Sequence, residues 1–276
     1  MILDGKKVAA EIYEELKNNI SKLEKKPTLW VILVWENPAS LKYIAQKKKW
    51  AEYIGMWFKL CQLDSTISED TLIIKIREWN SDNNISGYLV QLPLPKEFNV
   101  LKIIEYIAPE KDIDGFHPIN QWKLMIWDSS GSIPCTPAGI MHLLQSQNIE
   151  LRGKEITIVW RSNIVWKPLA LLLINAWATV TSCNSSTKNL KLHTKIADIV
   201  IVAAWYPHLI GANDISDECI VIDVWFNFMD WKIMGDCDFE EIHTQWNLIT
   251  PVPWWVGPMT VAMLMKNTYN SYINHL

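Results

Sequence analysis

Apolar residues alternate between helical and strand-like spacing along the first 120 residues of the chain. Residues 8–23 carry apolar side chains three or four positions apart, which predicts a helix. Residues 29–34 form a short apolar run that ends at a loop-like segment, as a buried strand does. Residues 40–55 predict a second helix, stopped by Gly55, and residues 87–91 predict a second strand that is followed by two prolines. This alternation predicts an α/β layer.

The second half of the chain has the pattern of buried parallel strands. Four β-branched runs lie at residues 156–159, 178–181, 198–204 and 219–224, and a helical apolar pattern at 164–176 separates the first two. This pair predicts a βαβ unit, whose right-handed crossover favours a doubly wound sheet. Residues 121–137 are polar and contain glycine and proline, so we expect a hinge there. Apolar residues after Pro258 predict a closing helix.

Composition and charge exclude several classes of protein. Hydrophobic residues make up 49% and charged residues 20%, as in globular domains, and no apolar run reaches the ~18 residues that a membrane helix needs. The start of the chain lacks a signal-peptide pattern, so a cytoplasmic protein is expected. The 26 basic and 30 acidic residues are mixed, which argues against nucleic-acid binding. Five cysteines without a C-x-x-C pair and six scattered histidines predict neither a disulfide framework nor a metal site.

Two segments of the first half carry candidate chemistry. Tyr43 and Lys47 share one face of the predicted helix, and Lys48 and Lys49 could lower the pKa of Lys47 by like-charge repulsion. A solvated basic helix face is the alternative interpretation. Gln91 stands at the carboxyl end of its predicted strand, where open α/β sheets bind ligands. An ordinary glutamine at a strand end is the alternative.

Two further segments allow a structural and a functional interpretation. Asp112 and Asp114 precede Gly115, a pattern that is typical of a turn stabilised by side-chain bonds to the backbone. Residues 158–168 lie where a dinucleotide-binding turn is expected, and Arg161 could pair with a 2′-phosphate. The segment contains no glycine, however, so it lacks the usual dinucleotide fingerprint.

Taken together, these segments resemble the bifunctional methylenetetrahydrofolate dehydrogenase/methenyltetrahydrofolate cyclohydrolase (FolD) family over nearly the whole chain. The segments that carry the resemblance are residues 36–40 with Tyr43 and Lys47, then 87–95, 111–118, 134–137, 161–162, 222–224, 250–253 and 257–260. Their common order along the chain makes the resemblance specific.

The resemblance implies two α/β domains around a cleft. Residues 1–120 with 256–276 would form a folate-binding catalytic domain to which the C-terminal helix returns, and residues 138–255 an NADP-binding Rossmann domain with a doubly wound parallel sheet. The implied activity is oxidation of methylenetetrahydrofolate with NADP, then hydrolysis to formyltetrahydrofolate. The resemblance also implies that the protein is a homodimer. It further implies a role in one-carbon metabolism, which serves purine biosynthesis.

The resemblance assigns roles to five residues of the first domain. Lys47 resembles the catalytic lysine, Tyr43 a residue that lines the folate site, and Gln91 the glutamine that orients the lysine. Asp112 resembles the aspartate that holds the pterin, and Pro93 a part of the same wall.

Three residues of the second domain are similar to cofactor-binding positions of the family. Arg161 and Ser185 resemble contacts of the 2′-phosphate, and Ser162 lies beside Arg161. A carboxylate that would bind the ribose of NAD is absent from residues 181–185, so NADP is expected in preference to NAD.

The chain departs from the family in one systematic way. The ten glycines of the chain and eleven tryptophans at family glycine positions together make 21, close to the ~19 glycines expected at average usage. An indole at 160 or 166 would oppose both a positive φ and the close approach of a pyrophosphate. The eleven residues are Trp35, Trp122, Trp127, Trp160, Trp166, Trp177, Trp205, Trp225, Trp231, Trp254 and Trp255.

Three functional interpretations therefore stay open at the level of sequence. The chain is the bifunctional enzyme, or a cyclohydrolase-only protein whose NADP site is blocked, or an inactive relic or altered chain. Deliberate substitution, an altered codon reading and a decaying gene would each explain the tryptophans.

Overall fold

The computed structural model describes residues 2–35, 37–159, 166–229, 232–245, 248–252 and 256–275. The chain divides into two compact units. The N-terminal unit comprises Ala10–Cys135 and Val261–Leu276, and the second unit comprises Met1–Ala9 and Thr136–Thr260.

A three-stranded parallel sheet forms the centre of the N-terminal unit. Its strands are β1 (Thr28–Leu33), β2 (Trp57–Gln62) and β3 (Tyr88–Val90), in the order β2-β1-β3. Helices precede, separate and follow the strands, namely α1 (Gly5–Ser21), α2 (Pro38–Tyr53), α3 (Glu69–Ser81), α4 (Val100–Tyr106) and α5 (Pro118–Met125). All three residues of β3 are buried, which is expected of a parallel strand that is covered on both faces.

The second unit contains a four-stranded parallel sheet with the order β5-β4-β6-β7. The strands are β4 (Glu155–Val159), β5 (Thr179–Cys183), β6 (Ile199–Val202) and β7 (Ile220–Asp223). An antiparallel pair follows, β8 (Phe226–Met229) with β9 (Lys232–Gly235). The helices are α6 (Cys135–Ser146), α7 (Trp166–Asn175), α8 (Leu190–Thr194) and α9 (Phe239–Thr244). The last helix, α10 (Val256–Asn274), begins in this unit, but its residues from Val261 onward belong to the N-terminal unit. The predicted α/β class and the parallel sheet are confirmed.

The last helix returns to the N-terminal unit, as the resemblance implies. From α10, Asn267 Nδ2 donates hydrogen bonds to the carbonyl oxygens of Ile113 and Ile133, at 3.0 and 2.9 Å. Ser271 Oγ donates to the carbonyl oxygen of Ser86 at 2.5 Å. These bonds hold the second half of α10 against the loops of the N-terminal unit.

The segment predicted as a polar hinge is partly helical. Residues 121–125 belong to α5, and α6 begins at Cys135. His117 caps α5 because its Nδ1 accepts a hydrogen bond from the N–H of Ile119, and Pro118 occupies the first helical position. Capping and the proline thus start a helix where composition alone predicted a linker.

Candidate active site

The N-terminal unit brings a lysine amine against a glutamine amide. Lys47 lies on α2, one turn after Tyr43, and Gln91 directly follows β3. Lys47 Nζ donates a hydrogen bond of 2.9 Å to Gln91 Oε1. Gln91 is buried, and its Nε2 donates to the carbonyl oxygen of Leu92 at 2.6 Å. Because that bond holds the amide nitrogen, the oxygen of the amide is directed at the lysine.

The environment of Lys47 lowers the pKa of its amine. Burial of the amine is the main cause, and the nearby Asp114 and Cys135 act in the opposite direction. The predicted cause, repulsion by the neighbouring lysines, is wrong, because Lys48 is exposed and forms an ion pair of 3.9 Å with Glu52. The solvated basic face predicted as the alternative therefore describes Lys48 but not Lys47.

Asp112 organises the loop that follows α4. Its Oδ1 accepts a hydrogen bond from the N–H of Gly115 at 3.1 Å, and its Oδ2 accepts from the N–H of His117 at 2.8 Å and from Asn120 Nδ2 at 2.9 Å. The side chain is buried. Both carboxylate oxygens are occupied by this loop, so the turn that the sequence predicts is present here.

Asp114, two residues later, is the carboxylate that lies in the field of Lys47. Burial raises the pKa of Asp114 to about 6, and the charge of Lys47 acts against that rise. Apolar side chains cause the desolvation, since Asp114 borders a pocket lined by residues such as Leu89, Ile104 and Phe116. The sequence did not separate Asp114 from Asp112, because both belong to one motif before Gly115 and only the position of Lys47 distinguishes them.

Two further groups adjoin the lysine and the aspartate. Cys135 is buried at the start of α6, and burial together with Asp114 raises the pKa of its thiol, whereas Lys47 lowers it. Asn267 Nδ2 approaches Cys135 Sγ at 3.7 Å. Cys135 lies in residues 134–137, one of the segments that carry the resemblance, but sequence reasoning assigned it no role. Sequence reasoning missed Asn267 because it lies 132 positions away and belongs to no recognisable spacing.

The two remaining predicted residues of the folate site lie in the same unit. Tyr43 is 42% exposed, and partial burial raises the pKa of its phenol. Pro93 is exposed and follows Leu92 through a cis peptide bond. Tyr43 does not hold the lysine, which bonds Gln91 instead.

The second unit has the strand order that open α/β sheets use to bind ligands. The chain leaves β4 to form β5 on one side and later returns to form β6 on the other, so β4 marks the switch point of the sheet. Val159 and Cys183 are paired, and the two strands therefore end level. Ser185 is exposed in the turn that follows β5. Arg161 and Ser162 lie outside the described residues.

Trp166 stands at the first position of α7, where a dinucleotide phosphate would approach the backbone. It is partly buried, and its indole Nε1 is buried without a hydrogen-bond partner among the residues that the structure describes. The strand order therefore fits a dinucleotide, but an indole at this helix start does not.

The described ranges of the chain contain neither a cluster of metal-ligating side chains nor a membrane-spanning helix. Within them, no group of three or more histidine, cysteine, aspartate or glutamate side chains could hold a metal ion. No helix in those ranges is both long and apolar enough to cross a membrane.

Comparison with known families gives two matches that cover most of the chain. Residues 3–114 match the catalytic domain of tetrahydrofolate dehydrogenase/cyclohydrolase, and residues 134–276 match the NAD(P)-binding domain of the same proteins. The bifunctional protein FolD of Bacillus pumilus is 47% identical over 274 residues, which cover 98% of this chain and 96% of that protein.

Solved structures agree over the full length. The bifunctional FolD methylenetetrahydrofolate dehydrogenase/cyclohydrolase of Campylobacter jejuni has a TM-score of 0.97 at 44% identity, covering 100% of this chain and 99% of that one. The methylenetetrahydrofolate dehydrogenase-cyclohydrolase of Trypanosoma brucei, solved with NADP and an inhibitor, has a TM-score of 0.93 at 31% identity, covering 99% and 97%.

Proposed function

The chain belongs to the tetrahydrofolate dehydrogenase/cyclohydrolase family, and we propose that the group formed by Lys47, Gln91 and Asp114 is where it acts on its folate. The enzyme oxidises methylenetetrahydrofolate to methenyltetrahydrofolate with NADP and hydrolyses the product to formyltetrahydrofolate, in one-carbon metabolism. The hydrogen bond of 2.9 Å between Lys47 Nζ and Gln91 Oε1 is the observation that carries the proposal.

The oxidation step asks mainly for positioning. The folate nitrogens stabilise the methenyl cation as it forms, so little acid-base assistance is needed and orientation dominates. NADP supplies the hydride acceptor when it is bound. The contribution of the chain is a rigid wall, because Gln91 is held by Leu92 and bonded to Lys47.

The hydrolysis step needs a group that accepts a proton from water. A lysine in water holds its proton too tightly for this role, and burial lowers the pKa of Lys47 toward the range where the neutral amine is available. In this proposal the Lys47 amine takes the proton of the attacking water and returns it as the bridge opens. Gln91 Oε1 keeps the amine in place during both transfers.

We assign pterin binding to Asp114 rather than to Asp112. Both carboxylate oxygens of Asp112 accept hydrogen bonds from its own loop, from Gly115, His117 and Asn120. The Asp114 carboxylate, with a pKa of about 6, is mostly ionised at neutral pH and can accept hydrogen bonds from pterin N–H groups. Asp112 then acts by holding the loop that presents Asp114. Tyr43 and Pro93 are proposed as further walls of the folate site.

For the cofactor we propose Arg161, Ser162 and Ser185 as ligands of the 2′-phosphate end of NADP. The support is that β4 and β5 end level, at Val159 and Cys183, because open α/β sheets bind ligands at the carboxyl ends of their strands. Trp166 opposes this assignment, since it occupies the helix start at which the phosphates would bind.

We propose that two copies associate through the edge strand β2. Within the described residues β2 pairs only with β1, so one row of its backbone groups is unpaired, and its Trp57 and Leu60 are 63% and 38% exposed. Exposed apolar edges favour pairing with another strand, and a twofold axis would pair β2 with its own copy. Leu60→Glu should shift the sedimentation profile to the monomer, whereas Ile74→Glu, at an exposed apolar position of α3, should not. A parent that sediments as a monomer would contradict the proposal.

We also propose that the protein acts in the cytoplasm and that it supplies purine biosynthesis. We propose further that residues 1–120 with 256–276 form one domain and residues 138–255 the other. Membership of the family supports the first two, and the strand order of each sheet supports the third.

The function is tested by replacing Lys47 and a matched neighbour. Lys47→Met keeps the length of the side chain and removes the amine, and we expect hydrolysis of methenyltetrahydrofolate to fall at least 100-fold, about the contribution of general acid-base catalysis. Lys48→Met on the same helix removes an exposed charge and should leave hydrolysis unchanged. If Lys47→Met hydrolysed the substrate at nearly the parental rate, the assigned role would be wrong.

A further inference from the structure

Three tryptophans of this chain adopt a backbone conformation that favours glycine. Trp127, Trp177 and Trp205 have φ angles of 67°, 64° and 57°. The other described residues with positive φ that are not glycine are Asn148, Asn189 and His208, which belong to the types that tolerate this region. For a bulky residue the same conformation is an outlier that costs free energy.

Two of these tryptophans end a helix through the same hydrogen-bond pattern. After α5, the N–H of Trp127 donates to the carbonyl oxygen of Leu124 at 3.3 Å, and the N–H of Asp128 donates to that of Lys123 at 2.8 Å. After α7, Trp177 and Ala178 donate to the carbonyl oxygens of Ile174 and Leu173 at 2.9 and 3.1 Å. This is the Schellman motif, whose left-handed position is usually glycine.

The chain contains its own reference for this motif. After α2, Gly55 has a φ of 80°, its N–H donates to the carbonyl oxygen of Glu52 at 3.1 Å, and the N–H of Met56 donates to that of Ala51 at 2.9 Å. Trp127 and Trp177 therefore stand at the position that Gly55 fills on α2. Asn148, the other residue that commonly takes this position, fills it after α6 with bonds of the same kind.

Packing does not explain why an indole should stand at these two helix ends. Trp127 and Trp177 are 60% and 61% exposed, so each leaves most of its apolar surface in water. Trp177 has the Arg152 guanidinium 5.4 Å from its ring, a contact near the limit for a cation–π interaction. By contrast, Trp79 is 6% exposed and contacts Tyr88 edge-on at 5.2 Å, which is the ordinary use of a tryptophan.

The third position is fixed by a different device. The Asp236 carboxylate accepts hydrogen bonds from three consecutive backbone N–H groups, those of Ala204, Trp205 and Tyr206, at 2.5, 3.1 and 2.9 Å. These three hydrogen bonds hold the backbone of Trp205 at its positive φ. The indole itself is 59% exposed, so it does little to fix this conformation by packing. The backbone of Trp127 and Trp177 is held by the hydrogen bonds that end a helix, whereas that of Trp205 is held by the Asp236 carboxylate, so the three sites have different surroundings. What the three sites share is a requirement for the backbone freedom of glycine.

We infer that the cells that naturally carry this gene insert glycine at positions 127, 177 and 205. In those cells, one codon that corresponds to tryptophan in this sequence is decoded as glycine. A decaying gene would place many residue types at such sites, whereas one altered codon places one type in unrelated environments. The shortage of glycine in the chain follows from the same cause. The inference does not depend on the proposed function, since the helix ends lie outside the candidate site.

Peptide mass spectrometry on the protein isolated from the cells that naturally carry the gene tests the inference directly. We expect glycine at 127, 177 and 205, and tryptophan at 79, where the indole is part of the core. Tryptophan at 127 and 177 in that protein would overturn the inference.

A recombinant comparison tests the physical reason. In the chain as written, Trp127→Gly and Trp177→Gly should each raise the melting temperature by about 2–4 °C, because each removes the strain of one left-handed residue. Trp122→Gly is the matched control, since Trp122 lies inside α5 and is 58% exposed, and glycine inside a helix is destabilising. If all three variants lowered the melting temperature alike, the backbone argument would be wrong.

Discussion

Lys111 provides the sharpest test of how the site loop is anchored. It is 5% exposed, and its Nζ donates three hydrogen bonds to backbone carbonyl oxygens at the end of α3. The acceptors belong to Trp79, Asn80 and Asp82, at 3.0, 2.7 and 2.9 Å. The lysine thus fills the role of a helix cap and ties α3 to the loop that carries Asp112.

Two opposing contributions set the expected size of the effect. Lys111→Met leaves three carbonyl groups without their donor, and each net hydrogen bond contributes about 1 kcal/mol. Burial lowers the pKa of Lys111, which shows that the three carbonyl groups do not fully offset the desolvation of its ammonium group. Removal of the ammonium group therefore recovers part of the free energy that is lost with the hydrogen bonds. We therefore expect the free energy of unfolding to fall by about 1–3 kcal/mol.

Urea denaturation at 25 °C, followed by tryptophan fluorescence, measures this change. Lys96→Met replaces an exposed lysine of the same unit and should stay within about 0.5 kcal/mol of the parent. A Lys111→Met variant as stable as the Lys96→Met control would refute the reasoning that these three bonds anchor the loop.

Three further predictions concern pH and the cofactor. Because the pKa of Asp114 is about 6, kcat/KM for the folate should decline below about pH 6, and Asp114→Asn should be slow at every pH without that acidic limb. Burial raises the pKa of Asp223 to about 8, above its value of 3.8 in the unfolded chain, so this carboxyl destabilises the fold increasingly as pH rises from about 4 to 8. Asp223→Asn should therefore flatten the pH dependence of the urea midpoint across that window, and an unchanged slope would contradict this prediction. Replacing Trp160 and Trp166 by glycine should strengthen NADP binding in a direct titration. This variant should prefer NADP over NAD, and Arg161→Ala should abolish that preference. Tight NADP binding by the parent would show that the two indoles do not block the site.

Periodicity predicted several elements whose burial is one-sided or complete, although it did not predict α3, which buries four apolar side chains. The apolar run at residues 29–34 became β1, the runs at 156–159 and 219–224 became β4 and β7, and the 3.6-residue spacing at 8–23 became α1. It missed β2, whose edge position leaves four of its six residues exposed and so removes the apolar run. Exposure of a strand is decided by its neighbours in the sheet, and no local window contains them.

The sequence alone determined the α/β class, the resemblance to the family and the shortage of glycine, because each depends on residue types and their order. Only the tertiary structure separated Asp114 from Asp112, since the charge of Lys47 acts on the Asp114 carboxylate whereas the Asp112 carboxylate accepts hydrogen bonds from its own loop. It alone joined Cys135 to Asn267 across 132 residues. It also showed that Trp127 and Trp177 occupy left-handed positions, because φ is set by the hydrogen bonds that close a helix. Desolvation and backbone conformation arise from the surroundings of a residue, and only the folded chain supplies those surroundings.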